Sequence, residues 1–169
     1  DSYVPFMGVF DGQGHTISGM YQAIFVANDA LFAAVEDAVI KNVCVKDSYI
    51  YGGKYCAGIV SFGVNSQIRN CSFEGTIKSW EWYAAGIAGQ LLGDSKVQNC
   101  YAKCNINAKN YLGGIIGIVG KESDAATITH NTLIENCYSY STLTPTSGGL
   151  NKGLVAGRVN AGATVKNCY

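Results

Sequence analysis

The text "IRNCSFEGTI" from Ile68 returns as "VQNCYAKCNI" from Val97, "IENCYSYSTL" from Ile134 and "VKNCY" from Val165. A fifth copy, "IKNVCVKDSYI" from Ile40, carries Val43 in the cysteine position. Between these copies runs a second repeated text: "CAGIVSFG" from Cys56, "AAGIAGQL" from Ala84, "LGGIIGIV" from Leu112 and "NKGLVAGR" from Asn151, preceded by the weaker "DALFAAVE" from Asp29. Ala30, Gly58, Gly86 and Gly114 are each 28 residues apart and Gly153 follows after 39. The asparagines 42, 70, 99, 136 and 167 are separated by 28, 29, 37 and 31. One insertion of about nine residues, inside "KESDAATITHNTL", accounts for both long steps.

Self-similarity at this period means an array of units that bury their apolar faces on one another. A period near 28, with β-type residues and turn glycines, excludes the helical repeats of about 33 to 47 residues, and the leucine spacing of leucine-rich repeats is absent. The chain is therefore expected to be all-β, a β-solenoid of about 28 residues per coil with coils stacked about 4.8 Å apart.

Stacking turns each recurring residue into a column. Asn42, Asn70, Asn99, Asn136 and Asn167 are predicted to form a ladder of amides at one turn. Beside it, Val43, Cys71, Cys100, Cys137 and Cys168 should point inward as small apolar side chains, the cysteines reduced. Ile59, Ile87, Ile115 and Leu154 should fill the interior from another face, and Ile50, Ile77, Ile106 and Leu143 from a third. Glycines 58, 86, 114 and 153 mark a sharp turn or a close approach of backbones.

Composition agrees. Charged residues make up 14% against about 25% in an average soluble domain, and 21 of the 169 residues are glycine. A formal net charge of zero gives no field that would favour nucleic acid. No apolar run is long enough for membrane insertion of this segment. Seven cysteines without a Cys-x-x-Cys pair argue against zinc, and no cofactor motif is present.

The units "AAGIAGQLLGDSKVQNCYAKCNI" and "LGGIIGIV…LIENCYSYSTL" resemble GLUG repeats, the Gly-Leu-Val-Gly type of bacterial surface and secreted proteins. The resemblance covers residues 30–169, with residues 1–29 as an opening coil whose "FMGVFDGQGHTISGM" is similar to the segment that precedes such repeats. It implies a right-handed parallel β-helix, exported by a bacterium as one adhesin-like module of a larger protein. Its partners would then be a glycan, a host or cell-surface protein, or neighbouring domains of the same polypeptide. Ala30 to Val35 lacks the glycines, Ala156 occupies a glycine position, and the Val43 unit carries an extra residue.

Chemistry is sparse in the text. The metalloprotease, Gly-x-Ser-x-Gly, P-loop and Gly-x-Gly-x-x-Gly signatures are absent, and neither His15 nor His130 lies in a catalytic motif. The chain is thus read as non-catalytic. The alternative is a polysaccharide lyase or glycoside hydrolase, which needs carboxylates, or a carboxylate with a basic residue, on neighbouring coils. Asp47, Glu74 and Lys103, with Lys46 beside them, form such a column in the coil alignment, or else a solvated salt-linked surface.

Aromatics make the better case for binding. Tyr55, Tyr83 and Tyr111 each precede a glycine anchor by three residues, and "SWEWY" adds Trp80 and Trp82, placed on one side if the segment is extended. Exposed, such rings are a platform for sugars or a protein; otherwise they close the groove between coils. The insertion over residues 121–132 is read mainly as a tolerated bulge.

In "FDGQGHTISGM", Asp11 and His15 stand without a second catalytic group in register. Gly12 and Gly14 read as a turn, Thr16 to Met20 as a strand whose Ile17 and Met20 match Ile40 and Val43, and Asp11 and His15 as groups bonding turn backbone.

Overall fold

Short β-branched runs punctuated by turn residues cannot bury themselves singly, and in this chain they do so by stacking. The computed structural model describes residues 4–24, 27–121, 123, 130–149 and 151–169. Among these residues the regular elements are all strands, paired in parallel into four sheets that the chain visits in turn on each coil. The fold is a parallel β-solenoid of about five coils.

The first sheet has six strands: Val9–Asp11, Val39–Lys41, Gln67–Arg69, Lys96–Gln98, Leu133–Glu135 and Thr164–Lys166. The second contains Thr16–Ser18 and Tyr21–Gln22, then Cys44–Gly52, Ser72–Ser79 and Tyr101–Ala108, then Tyr138–Ser139 and Thr142–Pro145. The third has Asn28–Asp29, Tyr55–Ala57, Tyr83–Ala85, Leu112–Gly113 and Lys152–Gly153. The fourth has Phe32–Glu36, Val60–Val64, Ala88–Leu92, Ile116–Val119 and Ala156–Val159.

Columns of like residues line the core. Ile40, Ile68, Val97 and Ile134 are in register on the first sheet and fully buried. Ile50, Ile77, Ile106 and Leu143 are in register on the second. Ile59, Ile87 and Ile115 sit at the corner between the third and fourth sheets, also without exposure.

The asparagine ladder forms. Each Asn Nδ2 donates to the Oδ1 of the Asn one coil earlier: Asn70 to Asn42 at 3.0 Å, Asn99 to Asn70 at 3.1 Å, Asn136 to Asn99 and Asn167 to Asn136 at 3.2 Å. All five lie at φ between 52 and 57°, a left-handed conformation that Asn tolerates better than most residues. Asp11 caps the ladder by accepting Asn42 Nδ2 at 2.9 Å, and its other contacts are Gln13 N–H and the Lys41 ammonium. These bonds hold the Asp11 carboxyl down at about 2, led by the Asn42 amide.

The cysteine column is inward and reduced. Cys71, Cys100 and Cys137 are buried and Cys168 half-buried, with no disulfide among the seven cysteines. The Cys71, Cys100 and Cys137 thiols donate to the carbonyl oxygens of Arg69, Gln98 and Glu135 at 3.2, 3.3 and 3.2 Å.

The two ends depart from the expected register. Gly153 pairs with Gly113, so that Leu154 falls opposite Gly114 and is 49% exposed, and Val155 takes the place beside Ile115. In the opening coil Phe10, not Ile17, matches Ile40, and Ile17 matches Val45. Asn28 and Asp29 pair with Tyr55 and Cys56 at a step of 27, and Phe32 pairs with Val60 at a step of 28, so the opening coil is one residue shorter than the next between these two strands. Of the insertion at 121–132, residues 122 and 124–129 lie outside the described residues. His130 is buried and its Nδ1 accepts the Gly93 N–H at 3.0 Å, a structural role.

Asp29 stands at the head of the inward column that continues as Cys56, Ala84 and Leu112. It is 1% exposed, and among the described residues its Oδ2 accepts only a long 3.4 Å bond from Gly53 and its Oδ1 has no partner. Burial pushes its carboxyl above the usual 3.8. The folded state therefore keeps a proton that the unfolded chain loses, and stability falls as pH rises above 3.8 until the folded-state pKa is passed. Asp29→Asn should raise the thermal midpoint at pH 7, with the gain shrinking as pH is lowered toward 4; a gain independent of pH would contradict this.

Candidate functional site

The aromatic residues divide between two places. Tyr55, Tyr83 and Tyr111 form the expected ladder, with ring centroids 4.8 and 5.1 Å apart and planes within 18°. It does not offer a platform. Tyr83 and Tyr111 are 3% and 5% exposed, and with Ile118 and Tyr55 they make a second, smaller core in the corner between the third and fourth sheets. Phe62 packs on Tyr55, and Lys54 lies over the Tyr55 ring at 5.2 Å. The ladder closes the wall, because its side chains fill a re-entrant corner.

Trp80 and Trp82 separate for a local reason. The chain bends through residues 80–82 between the strands Ser72–Ser79 and Tyr83–Ala85, so the alternation of an extended segment does not apply. Trp82 lies beside Tyr111 at 6.4 Å, while Trp80 packs edge-on against Tyr51 at 5.7 Å and shares a hollow with Lys78 and Asn107. Trp80 thus belongs to the outer face of the second sheet.

That face carries most of the exposed aromatic surface. Tyr101, Tyr138 and Tyr169 stack along the solenoid axis with centroids 4.5 and 5.5 Å apart, and Tyr138 and Tyr169 are 42% and 78% exposed. Tyr21 stacks on Tyr49 at 5.4 Å, and Lys78 sits over the Tyr49 ring at 5.7 Å. These tyrosines were visible in the sequence as the residue after Cys in "NCY" at 101, 138 and 169. Exposure is greatest at the row ends, at Tyr169 and Tyr21.

Between the rows lies a groove of about 350 Å³. One wall is Glu74, Lys103 and Tyr140, the floor is Gly75 and Cys104, and the other wall is Thr76, Asn105 and Thr142. Glu74 and Lys103 are register partners, as are Thr76, Asn105 and Thr142, so both walls run along the solenoid axis. Asp47 closes one end. It is the extra residue where the Cys44–Gly52 strand bulges against Phe73 and Gly75, and its φ of 51° re-aims its side chain. Asp47, Glu74 and Lys103, aligned in the sequence, therefore do line one cavity.

Burial pushes the Cys104 thiol up to about 11, against a lowering bond from Ser141, so it remains protonated at neutral pH and is no nucleophile there. Its Sγ is 3.3 Å from Ser141 Oγ, which is itself tied to Ser139 at 2.8 Å. Burial, and then the charge of Glu74, raise the Tyr101 phenol above its ordinary range and keep it a hydrogen-bond donor. Among the described residues no group of three or more His, Cys, Asp or Glu could hold a metal ion.

Comparison with family models, with curated proteins and with solved structures finds no match.

Proposed function

We propose that this chain is a non-catalytic β-solenoid module, secreted or displayed on a bacterial surface, that acts as an adhesive stalk and binds carbohydrate through the outer face of its second sheet. The observation that carries the reading is the juxtaposition on one rigid face of an exposed tyrosine row, Tyr101, Tyr138 and Tyr169, with a polar groove beside it. Rings give apolar contact with a polar edge, and flanking hydroxyls and charges fix orientation, which is how polyhydroxylated ligands are held. The setting rests on the GLUG-like text. A solenoid suits it, since stacked coils extend a face without a large core.

The test is a glycan array followed by tyrosine and tryptophan fluorescence titration of the parent, Tyr138→Ala and Trp82→Ala. The parent should bind, Tyr138→Ala should weaken binding by about tenfold, and Trp82→Ala should bind as the parent does. A parent that binds no glycan would sink this reading; retention of a cell-surface protein instead would place a protein on the same face.

The two carboxylates and the lysine in one groove favour a second reading, cleavage of a polysaccharide. Product formation from neutral or acidic polysaccharides, lost in Glu74→Gln, would establish it.

A further inference from the structure

The groove has a chemical preference written into its walls. Along one wall an acceptor-only carboxylate, Glu74, is followed on the next coil by a donor-only ammonium, Lys103. The strands that carry them are about 4.8 Å apart. A pair of neighbouring hydroxyls can donate to the first while accepting from the second. The opposite wall, Thr76 and Asn105, both donates and accepts, so it fits the same kind of ligand on its other edge.

Charge selects further. The lining holds two carboxylates, Asp47 and Glu74, against one ammonium, Lys103. A polyuronate would bring one carboxylate per sugar into a cleft that already carries a negative excess, and like-charge juxtaposition is what rejects a wrong partner. A neutral chain meets no such penalty. The Tyr140 ring, 78% exposed at the end of the Glu74–Lys103 wall, offers the apolar contact that a sugar face needs.

Resting on the reading of this face as the binding surface, we infer that the groove is a subsite for a neutral, polyhydroxylated glycan chain lying along the solenoid axis, and that Asp47 and Glu74 exclude polyuronates from it. The contact is made by hydroxyls bridging Glu74 and Lys103, so affinity changes little between low and physiological salt, unlike that of a charged ligand.

The experiment is calorimetric titration of the parent, Glu74→Gln, Lys103→Met and the double variant Asp47→Asn/Glu74→Gln. The probes are oligosaccharides of neutral hexoses and an oligogalacturonate of equal length. Asp47 and Lys103 are exposed and Glu74 half-buried, so unchanged thermal midpoints check that each variant folds. The parent should bind a neutral chain and not the uronate; Glu74→Gln and Lys103→Met should each lose about tenfold or more for the neutral chain. The double variant should gain measurable uronate binding. A parent that prefers the uronate, or neutral-chain binding untouched by both single variants, overturns the inference while leaving the face as the binding surface. A parent that binds no sugar at all overturns both.

Discussion

Gly86→Val should cost this protein about 3 kcal/mol or more, a fall in thermal midpoint of roughly 6 to 12 °C for a chain of this size. The reason is a close approach of backbones. A Cβ at Gly86 would lie 2.3 Å from the Gly114 carbonyl oxygen on the next coil and 2.4 Å from the Ala102 Cβ. Neither neighbour can retreat: the first is part of the parallel ladder, with Gly86 N–H bonded to Gly114 O at 3.1 Å, and the second is a fully buried core residue. Gly58 repeats the arrangement against Gly86 and Phe73, so the strain would pass to adjacent coils. Gly148→Ala is the control, because a Cβ there meets nothing within 4 Å, and its midpoint should not move. An unchanged midpoint for Gly86→Val would contradict the coil stacking itself.

The second large effect is expected at Asn99, in the middle of the amide ladder. Asn99→Ala removes one bond donated to Asn70 and one accepted from Asn136, and it also leaves a Cβ-bearing residue at φ 54° without the local bonding that makes Asn tolerant. The sum is about 2 to 3 kcal/mol. Asn99→Gly separates the two causes, since glycine adopts this φ freely and loses only the ladder bonds. Urea unfolding should rank parent, Gly and Ala in falling stability. Equal losses for Gly and Ala would mean that the ladder bonds alone set the cost, and no loss for either would mean that the ladder is ornamental.

Much of the fold was legible because the repeat itself encodes register. The Asn and Cys columns recur with their neighbours, so aligning the texts placed Asn42 to Asn167 and Cys71 to Cys168 as the structure does. The last coil was misplaced by one residue for a definite reason. "LGGIIG" opens with two adjacent glycines where "NKGLVAG" has a single one, and text alone does not say which of Gly113 and Gly114 Gly153 accompanies; the interior decides, by seating Val155 beside Ile115. In the opening coil no Asn-Cys signature anchors the alignment. There the pairing follows Phe10 and Asp11 onto Ile40 and Lys41.

The candidate site was harder to read. Period and alternation say that Tyr55, Tyr83 and Tyr111 stack, but not whether the wall there is re-entrant or open, and exposure depends on that. The "NCY" tyrosines and the Asp47, Glu74 and Lys103 column lie on the open side. Asp47 in particular depends on a bulge of one extra residue, which a repeat alignment shows only as an irregularity.

The most direct test of the binding face is a map of backbone amide shifts as a neutral oligosaccharide selected on the array is titrated into the parent. Shifts should cluster at Tyr101, Lys103, Asn105 and Tyr138 and at the strand from Ser72 to Ser79. Shifts centred on the Tyr55, Tyr83 and Tyr111 corner or on Trp82, with the second sheet silent, would contradict the assignment.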